Sequence, residues 1–451
     1  MRTFLIIWIG QFVSAIGSAM TQFALTIWVW QFTEQATAIA LFSFFFYFPQ
    51  FFVALFSGIL VDKFNRKHLM ILGDTCVALC TITIALLYST NSLLIWHLYG
   101  LAAIYGCFGH IQNLAYSTSI PLMVTKEHYT RASSMSTLVV QASAIIAPAL
   151  AGILYSVNGL LLIIAVDITT FLIAIGTLLL VKIPQPSLDT EDTTNSENET
   201  ILQKIAMGFQ YIFSTPSLRA MTIAFSLFWF FHQIGEILYE PMILARTGGN
   251  AQVLGVVVTA AGVGGAIGAL SLSIWGGFKR RIHGMLIGFI GSGLGKIALG
   301  LGQKQLTWII AQLYSYANVP LLLSSSNAIW YAKVSPTIQG RVFAADHAIG
   351  MIIGTIASLI AGFLADRFFE PAMKSKGVLA SIFGSVFGTN TGSGITLLYV
   401  MTAICIVLIG IGGYAFRTLR NVENILLDHD ISSDLQTRGH GLANKDKSSS
   451  D

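Results

Sequence analysis

Trp229, His232, Glu236 and Tyr239 recur at intervals of three and four residues inside an apolar run, so a helix places all four on one face. An acid held in hydrocarbon is costly and is seldom kept without a use. Glu236, in that aromatic and partly dry setting, is therefore a candidate proton carrier. His232, one turn away, is placed to share the proton or to touch a ligand. Hydration of Glu236 and Glu240 at a nearby water interface is the competing account. Asp167 and Asp74 also fall in apolar runs. Asp167 is a further candidate for proton coupling, although bonds to neighbouring Ser, Thr or backbone groups would explain both acids as structural. Lys296, alone among cations in the middle of an apolar run, is expected to snorkel toward the headgroups.

Neutral polar residues form stripes on other apolar segments. Gln11, Ser14, Ser18 and Thr21 or Gln22 follow one side of the first; His110, Asn113 and Ser117 mark the fourth; Tyr316, Ser324, Asn327 and Trp330 mark the tenth. Such stripes turn toward a watery cavity or serve as glue between helices. Their company of Trp and Tyr favours a roomy pocket for a lipophilic or amphipathic small molecule over a sugar or phosphate site. A different chemistry is carried by Gly58-Ile-Leu-Val-Asp62-Lys63-Phe-Asn-Arg66-Lys67, a dense charge cluster between two long apolar segments. Its bases suit phosphate headgroups, whereas Asp62 suits the N-terminus of a neighbouring helix, where backbone N–H groups and the macrodipole favour an anion.

The elements that must position these residues are helices in lipid. Of 451 residues, 54% are hydrophobic and 10% charged, with mean hydropathy +0.72, which a water-soluble domain of this size does not show. Segments long enough to cross a bilayer fall near 4–30, 38–61, 69–89, 93–117, 133–157, 159–182, 218–240, 251–277, 284–302, 306–331, 341–366 and 394–417. The expected fold is all-α integral membrane, with twelve transmembrane helices in two six-helix pseudo-symmetric bundles. Lys and Arg concentrate on alternate turns, which places those turns and both termini in the cytoplasm. The first apolar stretch is too long for a signal peptide and reads as an uncleaved span.

Residues 1–183 read as an N-terminal bundle, 184–217 as a cytoplasmic linker, 218–417 as a C-terminal bundle and 418–451 as a disordered tail. Within the linker, Ser187–Thr200 contains five acids and no base. The halves show weak self-similarity. Ser57–Lys67 corresponds in place to Trp275–Arg281, and Pro148–Leu154 to Ser358–Leu364, as expected for carriers that rock around a midplane site.

These residues resemble the major facilitator superfamily, specifically drug:proton antiporters of the macrolide-efflux type. The family loop signature, Gly-x-Leu-Ala-Asp-Arg-x-Gly-Arg-Lys, is matched by Gly58, Leu60, Asp62, Arg66 and Lys67, with Lys63 in place of Arg. A degenerate antiporter motif in the fifth span keeps Pro148 and Gly152, and Gly340-Arg341-Val-Phe343, Gly10-Gln11 and Asp167 also resemble that branch. The resemblance implies that Asp62 contacts the eleventh helix near Arg341, gating a two-state equilibrium. Two departures stand out. The fourth span has no Arg near Tyr105–His110, and the turn at 368–393 is long and includes a short apolar piece, read as a surface-lying helix in preference to a lid.

The expected function is export of amphipathic small molecules by proton antiport in a bacterial inner membrane, by a monomer that needs no cofactor beyond the proton gradient and binds no nucleic acid. A dedicated siderophore or peptide exporter and a lysolipid flippase are the alternatives on the same fold. An enzyme is disfavoured by the lack of clustered His, Cys or acids, and an ATP-driven pump by the lack of a phosphate-binding loop. The four cysteines lie in apolar segments and read as packing residues, not metal ligands.

Overall fold

The structure is a computed structural model that describes residues 1–183 and 201–425, a few side chains among them excepted. Its elements are all helical: α1 (Arg2–Thr33), α2 (Ala36–Lys63), α3 (Arg66–Ser89), α4 (Ile95–Met123), α5 (Tyr129–Leu180), α6 (Ile201–Ser214), α7 (Pro216–Thr247), α8 (Ala251–Trp275), α9 (Arg281–Leu301), α10 (Gln305–Ala317), α11 (Val319–Lys333), α12 (Pro336–Leu364), α13 (Glu370–Met373), α14 (Ala380–Phe387) and α15 (Ser393–Ala415). Backbone polar groups have no partner in lipid, and a helix satisfies them within one segment.

Among the described residues, ten helices are long and apolar enough to span a bilayer. One of them is two spans. Within α5, Asn158 and Gly159 leave helical geometry, with Gly159 at φ 62° and ψ −153°, a region essentially restricted to glycine. Trp8 Nε1 donates to Met135 O at 2.9 Å, Tyr155 OH to Gln31 Oε1 at 2.8 Å, and Gly10 lies against Thr177. The chain therefore rises along α1 and descends beside it. α4 has the length of a span, but His97, His110, Gln112 and Asn113 dilute its apolarity.

The predicted tenth span is interrupted. α10 ends at Ala317 and α11 begins at Val319, because Pro320 has no N–H to continue the ladder. The predicted linker, 184–217, is also not uniform. Residues 184–200 lie outside the described residues, while α6 folds and packs on the start of α12, with Gly208 against the Arg341 carbonyl. The eleventh span runs on through a π-helical turn, 365–369, into α13, and the long turn after it includes the short exposed helix α14.

Apolar packing divides the molecule in an informative way. One core cluster joins both halves, drawing on 23–30 of α1, 36–42 of α2, Ala147 and Ala151 of α5, 237–244 of α7, 251–257 of α8 and 357–365 of α12. At the other end each half keeps a core of its own. One is built from Phe4, Ile7, Met70 and Leu178, the other from Leu218, Phe228, Phe289 and Ile329. The halves are thus closed on each other at the end bearing the α1–α2 and α7–α8 turns and separate at the end bearing the N-terminus.

Candidate functional site

A cavity of about 730 Å³ lies between the halves. Its walls come from α1 (Gln22, Phe23, Thr26), α2 (Phe42, Tyr47), α5 (Pro148), α7 (Phe225, Trp229, Glu236, Tyr239, Glu240), α11 (Ser326, Asn327) and α12 (Asp346, His347, Ser358). No lysine or arginine is among its described lining residues. The volume suits a drug-sized molecule, and the mix of rings with a few polar groups is that of a small-molecule pocket.

α7 delivers the chemistry. Glu236 Oε1 accepts from Lys296 Nζ at 2.5 Å and lies 3.6 Å from His232 Nε2, while Oε2 accepts from the Tyr316 hydroxyl. The Lys296 side chain is 1% exposed and that of Glu236 21%, so the carboxylate faces the cavity and the ammonium lies behind it. The rings of Tyr316 and Tyr399 stand 6.0 and 5.8 Å from the ammonium, a cation–π distance. α9 comes close enough to deliver Lys296 because glycines line it: a Cβ at Gly295 would meet Ser315, one at Gly291 Asn318, and one at Gly300 Val400. Lys296 therefore does not snorkel. It is the buried counterion of Glu236, and the choice of a lipid-facing lysine is overturned by the pairing.

The remaining candidates divide by location. Trp229, Tyr239, Gln22 and Asn327 line the cavity, and Tyr239 OH donates to Glu240 Oε1 at 3.2 Å. His232 does not line it; the ring is buried between Phe228 and Trp229 at centroid distances of 5.3 Å, and it reaches the site only through Glu236. Tyr316 likewise acts through Glu236. Trp330 is a correction, being 3% exposed and part of the C-terminal half's own core. The break between α10 and α11 shifts the register, so Tyr316 and Trp330 do not share a stripe.

Apart from Gln22, the polar candidates of the N-terminal half stand off the main cavity. Gln11 Nε2 donates to Asp74 Oδ2 at 3.2 Å, and Gln11 Oε1 accepts from Gln112 Nε2 at 2.8 Å. Ser18 donates to Asp167 Oδ1 at 3.1 Å, and Thr81 to Oδ2 at 3.4 Å. Ser14 borders a cavity of about 30 Å³ beside both acids. Asp167 is buried, held by hydroxyls in the packing of α1, α3 and α5. His110 Nε2 lies 3.4 Å from Ser57 Oγ, and Asn113 is exposed while its neighbour Gln112 makes the inward bond.

At the charged loop, Asn65 caps α3, accepting from the Lys67 and His68 N–H groups at 3.0 and 3.3 Å. Arg66 donates to Thr118 O at 2.5 Å, and Lys67 to Val181 O at 2.6 Å and Leu179 O at 3.3 Å. Lys67 thus satisfies carbonyls at the C-terminus of α5, where the dipole favours a cation, and Arg66 reaches a carbonyl short of the end of α4. Lys63 is exposed. The surroundings of Gly58 and the side chain of Asp62 lie outside what the structure describes. Arg341, on α12, reaches Met207 Sδ of α6 at 3.2 Å. Pro148 and Gly152 form the seam with α8. A Cβ at Gly152 would stand 2.9 Å from Ala251 O, and one at Gly255 2.5 Å from Pro148 O.

The model of the transmembrane secretion effector family matches residues 1–368. The chain belongs to that family. It is a major facilitator transporter and a multi-pass membrane protein. It is 25% identical over 366 residues to macrolide efflux protein A of Streptococcus pyogenes, covering 81% of this chain and 89% of the relative. It is 26% identical over 255 residues to the enterobactin exporter of Escherichia coli, covering 56% and 58%. Among solved structures, an inward-facing, unoccupied bacterial homologue of the human lysosomal transporter Spinster superposes with a TM-score of 0.67 at 16% identity, over 93% of this chain and 96% of that one. An inward-facing bacterial ferroportin homologue gives 0.66 at 13% identity, over 91% and 98%. These two likenesses establish the fold.

Proposed function

We propose that this transporter exports amphipathic small molecules from a bacterial cytoplasm by alternating access, exchanging them for protons at Glu236. The observation that carries the reading is the cavity of about 730 Å³ with Glu236 on its wall and Lys296 behind it. A proton arriving at Glu236 turns an acceptor into a carboxyl and strips Lys296 of its counterion. An uncompensated buried charge costs several kcal/mol, so protonation favours a rearrangement that re-pairs or hydrates the ammonium. Binding and release of cargo beside Glu236 then alternate with proton binding. The fourth span has no embedded arginine; the embedded cation of this chain stands in the C-terminal half.

With Lys- and Arg-rich turns in the cytoplasm, the separate end of the bundles opens inward, and both termini share that side. The test is drug uptake into inverted membrane vesicles. An imposed proton gradient drives macrolide accumulation in the unmodified protein, and Glu236→Gln retains macrolide binding but loses gradient-driven accumulation. Uptake indifferent to the gradient removes the antiport half of the proposal. A dedicated siderophore exporter is the second reading, supported by the likeness to enterobactin exporters. Competition between enterobactin and a macrolide for vesicle uptake separates the two.

A further inference from the structure

We infer that the chain carries a second copy of its loop signature at the opposite end of the molecule, and that Asp366 in that copy is a latch holding the two halves closed there. The sequence supplies the first observation. Gly58-Ile-Leu60-Val-Asp62-Lys63-Phe64 ends α2, and Gly362-Phe-Leu364-Ala-Asp366-Arg367-Phe368 ends α12. Gly, Leu, Asp and Phe recur at the same spacing, with a base after the acid in both. α2 and α12 run in opposite directions through the two halves, so the copies stand at opposite ends.

The geometry supplies the second. α2 begins at Ala36 with no side-chain cap of its own, since Gln35 makes none. Its first N–H groups are orphan donors, and Ala36 is 0% exposed, so water does not reach the first of them. Asp366, from the other half, reaches both: Oδ1 accepts from Ala36 N at 3.1 Å and Oδ2 from Thr37 N at 2.6 Å. The approach is possible because position 362 has no side chain; a Cβ there would stand 2.5 Å from Thr37 Cα. One carboxylate of the C-terminal half thus caps a helix of the N-terminal half. When the halves part at this end, two backbone donors lose their acceptor together, so the contact weights the equilibrium toward the closed-end state.

The next acid along behaves differently, which supplies a control. Glu370 caps α15 by accepting from Gly392, Gly394 and Ile395 N–H at 2.6, 2.9 and 3.2 Å, a contact wholly within one half. The two acids sit four residues apart on the π-helical turn and α13, one facing across the seam and one facing its own bundle.

The test rests on the alternating-access reading and measures the open fraction directly. Thr26→Cys, in a background whose four native cysteines are serines, places a thiol on the cavity wall beneath the seam. In intact cells a membrane-impermeant maleimide then modifies it at a rate proportional to the fraction opened at the closed end. Asp366→Ala is expected to raise that rate about fivefold, the factor that follows from losing a helix cap. Ala36→Pro is expected to raise it similarly, since it deletes one donor while placing proline where a helix accepts it and after a residue already extended at φ −120°. Glu370→Gln leaves the rate unchanged. An unaltered rate in Asp366→Ala overturns the latch, as does an equal rise in Glu370→Gln. If Asp366→Ala is silent while a wedge at the seam, Gly255→Val, raises the rate, the latch fails and alternation stands; silence in both removes both.

Discussion

Removing either member of the Glu236–Lys296 pair is expected to be costly, but not equally so, and the asymmetry tests the geometry. In Glu236→Gln the ammonium stays 1% exposed with no carboxylate to accept from it, only two tyrosine ring faces near 6 Å. Stranding one partner of a buried pair costs about 3–5 kcal/mol. In Lys296→Met the carboxylate that remains is 21% exposed toward the cavity and still accepts from Tyr316, so the cost falls to about 1–3 kcal/mol. The double variant, Glu236→Gln with Lys296→Met, strands no charge and is expected to be more stable than Glu236→Gln alone. The assay is thermal unfolding of the three purified proteins in one detergent at one pH, followed by tryptophan fluorescence and repeated at a second scan rate to confirm the ranking. A Lys296→Met protein less stable than Glu236→Gln, or a double variant whose loss equals the sum of the singles, refutes the coupling described.

Three further outcomes follow from particular contacts. Gly255→Val forces a side chain against the Pro148 carbonyl and is expected to raise maleimide modification at position 26 from the closed side; modification no faster than in the parent refutes a tight seam. Asn65→Ala removes the cap of α3 and is expected to lower stability by about 1 kcal/mol without changing the affinity for a macrolide, checked by unfolding and by equilibrium binding. Gly159→Ala strains the only kind of backbone that turns α5 back on itself, costing about 1–3 kcal/mol, visible as a lower unfolding temperature with cavity binding intact.

The membrane class and the two-half plan were legible because long apolar runs and alternating basic turns follow from the lipid solvent alone. The Glu236 face was legible too, since period 3.6 places Trp229, Glu236 and Tyr239 together on the wall. Its partner was not read from sequence: Lys296 lies sixty residues away, and local spacing says nothing of pairing across helices. A signal existed, because embedded ionisable groups of opposite sign in one half are expected to find each other. Asn113 and Trp330 were misplaced for local reasons. A one-residue choice between Gln112 and Asn113 turns a side chain by about 100°, as 3.6 residues per turn requires, and Pro320 resets the helical phase ahead of Trp330. α6 was hidden inside a polar stretch whose acidic first part dominated its composition. Asp366, the last residue of the predicted eleventh span, was passed over, although its spacing from Gly362 repeats that of Asp62 from Gly58.

Part of the surface on which the halves meet is made of small side chains. Ala147, Pro148, Ala151 and Gly152 face Ala251 and Gly255, and Gly362 faces Thr37 and Ala40. Backbones touch along those contacts, and residues this small withdraw less apolar area each than the Leu and Phe side chains inside either half. Along that strip the joint is shaped by main chain against main chain, so a single added methyl group would hold the two bundles apart.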